Sequence, residues 1–398
     1  MSFQLWFTLL GLFFLGGSLF RLPLLAASAA AGMGMLLLAH LWRRQALKNI
    51  IYRRRWRFRR GFPGETADVR IEIHNKKLLP LSWLRTSDRW PAAVGPEDPA
   101  ALAPSHILEE GTLVQQLSLT SYEQVTRRHK LLFRKRGVYR LGPLRMESGD
   151  LFGLTHTSRT LDAHENLTVF PEMLPLEALK LPTDDPFGDR RAERRLFEDP
   201  NLPFGVRPYH PEDDMRRVHW NATARSGSLQ VKVHQPVSAR ALVVCLNVST
   251  SAQPHRSFDP DLLEYLVSAS ATLVYHANHM NYAVGLLSNG RLAYADQPFQ
   301  IPVSRSPPQL AHLLEALAAV TPYTQTRFET YLYQTMPRLP YGATLLVVSG
   351  VHSPELEITL VRLKRYRANT TLISLAVQAP SNLPGIRCIH LPFRERQS

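Results

Sequence analysis

Residues 2–20 (SFQLWFTLLGLFFLGGSLF) carry no charge, and residues 22–42 (LPLLAASAAAGMGMLLLAHLW) hold only His40 near their end. Two such runs constrain the chain more than anything that follows. A helix rises about 1.5 Å per residue, so about 20 apolar residues cross a hydrocarbon core of about 30 Å. Arg21-Leu22-Pro23 splits the runs, which predicts a transmembrane helical hairpin. A cleaved signal peptide fits less well, because no basic segment precedes the first run and the apolar stretch is about twice too long. Ala26, Ala30 and Gly34 recur every fourth residue, a spacing that lets helices approach closely. Small residues with no pairing role are an equally good reading.

The charge supports an anchor. The 398 residues carry 47 Lys+Arg against 33 Asp+Glu, a net charge of +14. Residues 1–60 contain no acid, and their basic residues are Arg21, Arg43, Arg44, Lys48, Arg53, Arg54, Arg55, Arg57, Arg59 and Arg60. A basic block directly behind apolar sequence faces lipid headgroups, which argues against nucleic acid as a partner. Trp42, Tyr52 and Trp56 are placed for the membrane interface. Basic flanks stay in the cytoplasm, so residues 1–60 read as two spans with a juxtamembrane segment in the inner membrane. Both termini and the C-terminal bulk are then expected in the cytoplasm. The 2 cysteines, Cys245 and Cys388, rule out a disulfide scaffold and suit free thiols in a reducing compartment.

Residues 61–170 change texture. Asp68-Val69-Arg70-Ile71-Glu72-Ile73-His74 alternates polar and apolar with period two, as a half-buried strand does. Pro63-Gly64 and Asn75 flank it as turn residues. Strands are also expected at 113–120, 130–133, 137–143 and 144–146, which together predict a small antiparallel β-sandwich.

Residues 171–238 read as a connector followed by a dense motif. The connector, 181–204, interleaves Arg190, Arg191, Arg194 and Arg195 with acids and suggests an exposed loop. In residues 205–225, Arg207, Arg216 and Arg225 can form bidentate pairs with Asp213 and Asp214. Either aspartate can also cap a helix beginning near Met215, with Trp220 as a buried anchor. Three readings stand: a structural network, a partner-binding surface, or a catalytic or metal site built from His210, Asp213, Asp214 and His219. Arginines this close oppose a cation, and no spacing matches a known metal motif.

Residues 239–398 alternate strands and helices. Strands are expected at 241–246, 282–287, 344–348 and 371–376, with helices at 262–279, 308–320 and 354–367. The pattern predicts an α/β domain with a mainly parallel sheet covered on both faces, whose ligands sit at the carboxyl ends of the strands.

Residues 205–225 resemble the signature of the bacterial domain-of-unknown-function 58 family, Gly-x-Arg-x-Tyr-x-Pro-Gly-Asp-Asp-x-Arg-x-Ile-x-Trp-x-x-Ser-Ala-Arg. Gly205, Arg207, Tyr209, Pro211, Asp213, Asp214, Arg216, Trp220, Ala224 and Arg225 match it, while Glu212, Val218 and Thr223 replace Gly, Ile and Ser. His219 stands where Asp is common. Arg136-Gly137-x-Tyr139-Arg140-Leu141-Gly142-Pro143, Ser148-Gly149-Asp150-x-Phe152-Gly153-Leu154 and the helical anchor extend the resemblance over essentially the whole chain. It implies a MoxR-type AAA+ ATPase as partner and carries no enzymatic activity with it. Asn247-Val248-Ser249-Thr250-Ser251 resembles the Asp-x-Ser-x-Ser metal site of von Willebrand factor A domains, with Asn247 in place of Asp. Ser349-Gly350 stands where such domains often carry Asp-Gly. Without either carboxylate, Asn247, Ser249, Ser251 and Ser349 form a degenerate site expected to hold no metal and to act as a polar cap and turn.

The expectation is a membrane-anchored scaffold or adaptor that binds protein and lipid, with no cofactor and no small-molecule substrate. Residues 1–398 lack a Gly-rich phosphate loop, a Gly-x-Ser-x-Gly elbow and a His-Glu-x-x-His motif. One rival is a metal-dependent binding module near Ser249, completed by Glu212 or Asp259. Another is a hydrolase-like enzyme using Asp213, Asp214 and His219.

Overall fold

Leu22-Pro23 opens the second of two apolar helices, proline being tolerated in a first turn because its missing N–H has no partner there anyway. The computed structural model describes residues 3–150, 155–181, 187, 198–211, 213–236, 241–251, 258–340, 342–365, 369–381 and 383–393. The chain divides into two compact units, Met1–Phe170 and Pro171–Ser398.

In the first unit, α1 (Phe3–Leu19) and α2 (Pro23–Ala46) pack against each other through a tight link at Arg21. Small residues set the contact, though not the expected set. A Cβ on Gly17 would meet the Ala26 backbone nitrogen at 2.8 Å, and one on Gly32 would meet Leu10 at 3.2 Å. Ala29 is buried, whereas Ala30 and Gly34 are exposed, so the face runs at three-residue steps through Ala26, Ala29 and Gly32. The 24 residues of α2 are long and apolar enough to cross a membrane, and only 11 % of its most apolar stretch is buried. The core helix of a soluble protein would be mostly covered. The 17-residue α1 is at the short limit for a span, which is about 17 residues.

The strands follow with almost no slack: β1 (Ile50–Trp56), β2 (Arg60–Gly61), β3 (Thr66–Asn75), β4 (Leu81–Pro91), β5 (Ala103–Pro104), β6 (Glu110–Leu119), β7 (Gln124–Leu132), β8 (Gly137–Leu141), β9 (Leu144–Gly149), β10 (His156–Leu161) and β11 (Glu165–Val169). They form sheets of order β1-β3-β7, β10-β9-β4-β6-β5 and β2-β11-β8, antiparallel except for β2 with β11. The alternation in β3 buries Val69, Ile71 and Ile73 as its period requires. They join Leu84, Trp90, Leu131 and Met146 in one core. Ala46, Leu47 and Ile50 lie in the same core, so the end of α2 is built into the sandwich. Lys77 Nζ seals that junction by donating to the carbonyls of Gln45 (2.8 Å), Lys48 (3.0 Å) and Ala46, and burial pulls its ammonium down to about 8.

The basic block departs from expectation. Arg53 to Arg55 lie in β1, not in a loose juxtamembrane segment, because strand alternation sends every second side chain inward. Arg54 is buried and clamps Asp88 of β4 with Nη2–Oδ1 at 2.6 Å and Nε–Oδ2 at 2.8 Å. Tyr52 also donates to Asp88, and burial together with that carboxylate pushes its phenol well above the ordinary range. Trp56 donates to Glu165 and lies 6.0 Å from Trp90. Tyr52 and Trp56 therefore pack on the sandwich core, not at a membrane interface.

In the second unit the order is β12 (Glu198–Pro208), α3 (Trp220–Ser226), β13 (Gln230–Pro236), β14 (Ala241–Leu246), α4 (Pro260–His279), β15 (Ala283–Leu292), β16 (Ala295–Ser304), α5 (Gln309–Ala319), β17 (Val320–Thr324), α6 (Phe328–Thr335), β18 (Thr344–Ser349), α7 (Pro354–Arg365), β19 (Asn369–Ser374) and β20 (Arg387–His390). A seven-stranded sheet runs β16-β15-β14-β18-β19-β20, with β17 also on β15. Its four central pairings are parallel, and β16 and β17 join antiparallel, so the sheet is mixed. Val243 and Cys245 pack with Phe328 of α6 and Leu360 of α7. The alternate residues Leu242, Val244 and Leu246 are equally buried, and α4 packs on β14. Burial pushes the Cys245 thiol up to about 12. The edge strand β16 carries Pro298 and Pro302, which period-two reading discounts as a strand. The expected exposed loop at 181–204 ends differently, with 198–208 pairing as a strand with β13. Arg190, Arg191, Arg194 and Arg195 lie outside the described residues, as do Phe152, Gly153 and Leu154.

Removing one partner of a buried ion pair strands the other charge, at a cost of about 3–5 kcal/mol. Both side chains of the Arg54–Asp88 pair are 1 % exposed. Asp88→Ala is expected to lower the stability of the full chain in detergent by that amount in denaturant titration. Arg54→Met with Asp88→Leu should recover most of the loss.

Candidate interaction site

The motif leaves β12 at Pro208 and returns as β13 at Gln230, so it is an excursion from a two-stranded hairpin. The Tyr209 N–H donates to the Leu229 carbonyl (2.9 Å) and the His219 N–H to the Gln230 carbonyl (2.7 Å), which pins both ends. Val218 and Val231 are buried where they bridge.

Among the described residues, Arg207 and Asp213 form an arginine–carboxylate pair. Arg207 Nη1 donates to Asp213 Oδ2 (2.7 Å) and Nη2 to Oδ1 (2.6 Å), the bidentate fork geometry. The His210 N–H donates to the same carboxylate at 2.8 Å. These bonds, the Arg207 guanidinium first, hold the Asp213 carboxyl down at about 2. Asp214 takes a different role. It caps a single 3₁₀ turn at Met215–Arg217 by accepting from the Arg216 N–H at 3.0 Å. The helix expected from Met215 begins only at Trp220, and its cap is His219, whose Nδ1 accepts from the Ala222 N–H at 3.1 Å. His219 as a cap went unread because Ser, Thr, Asp and Asn dominate that position.

Trp220 is not a buried anchor. It opens α3 with 65 % of its surface exposed. Met215 is 53 % exposed, and Arg216 and Arg225 are exposed without an ion pair among the described residues. Gly205, His210 and Pro211 are exposed and Tyr209 is half-buried. Glu212 lies outside the described residues. Asp213, Asp214 and His219 are thus brought together in sequence and separated in duty, one in a clamp and two as caps. No group of three metal-ligating side chains occurs among the described residues.

The degenerate site forms a closed neutral network at the carboxyl ends of the parallel strands. Asn247, buried after β14, donates from Nδ2 to Ser349 Oγ (3.0 Å) and accepts at Oδ1 from the Ser249 N–H (3.0 Å). Ser349 Oγ donates to the Val351 carbonyl at 2.7 Å. Asn289, buried within β15, accepts from the Val248 N–H at 3.1 Å and donates to Ser249 Oγ at 3.5 Å. Asn289 was missed in the sequence, although Ser288-Asn289-Gly290 interrupts an apolar strand with polar groups. Ser251 is half-buried farther along the turn. Asp259 is engaged as the N-cap of α4, accepting from the N–H groups of Asp261 and Leu262 at 3.0 Å.

Residues 205–395 match the family model described as "Protein of unknown function DUF58". The matched range begins at Gly205, inside β12, and takes in the excursion, β13 and the mixed sheet. The upstream segments around Gly137 and Gly149 lie outside the matched range. Similarity extends to "Uncharacterized protein YeaD" of Bacillus subtilis, 19 % identical over 258 residues, which covers 64 % of this chain and 58 % of that protein. Among solved structures, the chain is similar to the CARDB domain of the PF1109 protein from Pyrococcus furiosus. That match has a TM-score of 0.20 and 8 % identity over 30 % of this chain and 91 % of that one. The sporulation control protein Spo0M of Bacillus subtilis matches with a TM-score of 0.20 and 13 % identity, over 34 % of this chain and 56 % of that one. Scores this low carry no structural or functional argument.

The Asp213 carboxyl titrates lower in the folded chain than its ordinary 3.8, so the clamp contributes fully above that value and is lost as the pH falls through about 2. At neutral pH, Asp213→Asn should raise amide hydrogen exchange around His210 by about fivefold. Below pH 2 the variant and the parent chain should converge. Asn247→Ala strands the Ser249 N–H and removes one bond that the Ser349 hydroxyl accepts, and should cost about 1–3 kcal/mol in thermal unfolding.

Proposed function

We propose that the chain is a membrane-anchored scaffold whose second unit binds a protein partner through the exposed part of residues 205–225. The observation that carries this reading is Trp220, 65 % exposed, on an excursion held rigid by the Arg207–Asp213 fork. Met215, Arg216 and Arg225 are exposed in the same excursion. Trp, Met and Arg are the side chains enriched at protein interfaces, and a preordered loop loses little entropy on docking. A catalytic role gains no support from the carboxylates. A general acid or base works near its operating pH, and Asp213 is displaced in the opposite direction.

Two further features belong to this reading. The α/β unit is a von Willebrand factor A-like domain whose metal position is closed by Asn247, Ser249 and Ser349. Both α1 and α2 span the inner membrane, and the basic residues from Arg43 to Arg60 keep the bulk of the chain in the cytoplasm. The family resemblance makes a MoxR-type AAA+ ATPase the partner to test. Affinity purification of the full chain in detergent should recover that ATPase. A Trp220→Ala, Arg216→Glu chain should recover at least about tenfold less, as removing an interface hot spot does. Equal recovery by a folded variant would overturn the surface assignment. Digestion of the second unit by protease added outside spheroplasts would overturn the topology.

A further inference from the structure

The sandwich of the first unit carries a groove that the scaffold reading does not use. It is a cavity of about 640 Å³ across the outer face of the β10-β9-β4-β6-β5 sheet, and Trp83, Arg85, Gln116, Arg145, Glu147 and His156 line it. The register explains why they meet. Arg85 of β4 pairs with Gln116 of β6 on one side and with Glu147 of β9 on the other, which places three outward side chains in one row. Trp83 lies one outward step along β4, with its ring 5.7 Å from His156. Gly149 permits that approach, since a Cβ there would meet the Thr155 carbonyl at 2.5 Å and the Trp83 ring at 3.0 Å. Arg145 pairs with Glu147 at 2.7 Å, and Arg85 makes no ion pair among the described residues. The groove therefore keeps an unneutralised guanidinium beside an aromatic wall, the chemistry that receives an anion.

The position of the groove identifies the source of that anion. The loop between β3 and β4 is tied to the end of α2, because Lys77 caps the helix and the Lys76 N–H donates to the Asn49 carbonyl at 3.0 Å. The loop between β6 and β7 is tied to the first loop, with the Tyr122 N–H donating to the Lys77 carbonyl at 3.2 Å. Both β9 and β10 also pack against α2. The end of the sandwich nearest the groove is thus the end that α2 enters. At its tip, Leu78 is 74 % and Tyr122 is 63 % exposed, side chains suited to the boundary between headgroups and acyl chains.

We propose that this groove binds the headgroup of an anionic phospholipid from the leaflet where α2 ends, with Arg85 and Arg145 facing the phosphate and with Leu78 and Tyr122 seated in the interface. This rests on the reading of α2 as a membrane span. One basic residue near an anionic surface is worth about fivefold in affinity, and with Arg145 paired to Glu147 the groove offers one such charge, a preference of about fivefold. The full chain, purified in micelles with equal phosphatidylglycerol and phosphatidylcholine, is weighed by native mass spectrometry to count retained lipids. The parent chain should retain phosphatidylglycerol over phosphatidylcholine by about fivefold, and Arg85→Gln with Arg145→Gln should bring the ratio near one. The exposed Arg159→Gln serves as the control and should keep the preference, and melting temperatures confirm that all three chains fold. Parity in the parent chain, or an unchanged ratio in the double variant, overturns the site. So does equal displacement of phosphatidylglycerol by free glycerol 3-phosphate, which would make the ligand a soluble phosphate. Flotation on neutral phosphatidylcholine vesicles separates the two failures. A parent chain that does not float overturns the anchor and the headgroup site with it, whereas one that floats without a lipid preference overturns the headgroup site alone.

Discussion

Three residues, Leu47, Lys48 and Asn49, separate the helix that can cross a membrane from the first strand of the sandwich, and the residues on either side of them share one core. That shortness governs the first unit. A flexible linker would let the sandwich tumble, but a helix whose last turn is packed among Ile50 and its neighbours, and whose final carbonyls are held by Lys77, moves with the sandwich as one piece. Loop tips, groove and basic strand then inherit their positions from the helix end. The three consecutive arginines of β1 fit a strand because the inward one, Arg54, pairs with Asp88 on β4.

The second unit applies a related economy to its polar groups. The carboxyl ends of its parallel strands are where open α/β sheets usually receive ligands. Here the strand ends bond to one another. Asn247, Asn289, Ser249 and Ser349 satisfy donors and acceptors among themselves, so a position suited to chemistry is occupied by structure. On the hairpin excursion, the Arg207–Asp213 pair holds shape in the same way.

Legibility in the sequence followed physical lines. The central strands were plain because burial on both faces leaves uninterrupted apolar runs: 241–246 and 344–349 stand where Ala241-Leu242-Val243-Val244-Cys245-Leu246 and Thr344-Leu345-Leu346-Val347-Val348 place them. The alternation of β3 was equally open. Of the elements that escaped, three had their apolar signal masked: β1 by its arginines, β16 by its prolines and β20 by its length of 4 residues, while β4, β10, β11, β13, β17 and α6 also went unread. At the motif, residue types announced guanidinium–carboxylate pairing but not its partners. Arg207 could reach Asp213 because a turn folds the chain back within six residues, a tertiary fact that spacing alone does not contain. Trp220 was misread because a large aromatic ring is usually core, whereas here it opens a helix with 65 % of its surface exposed.

The prolines of β16 reach beyond local geometry. An outer strand normally offers a free row of N–H groups to any passing chain, and Pro298 and Pro302 delete two of those donors from the margin of the large sheet. Zipping of two copies into a continuous ribbon across that margin is thereby discouraged.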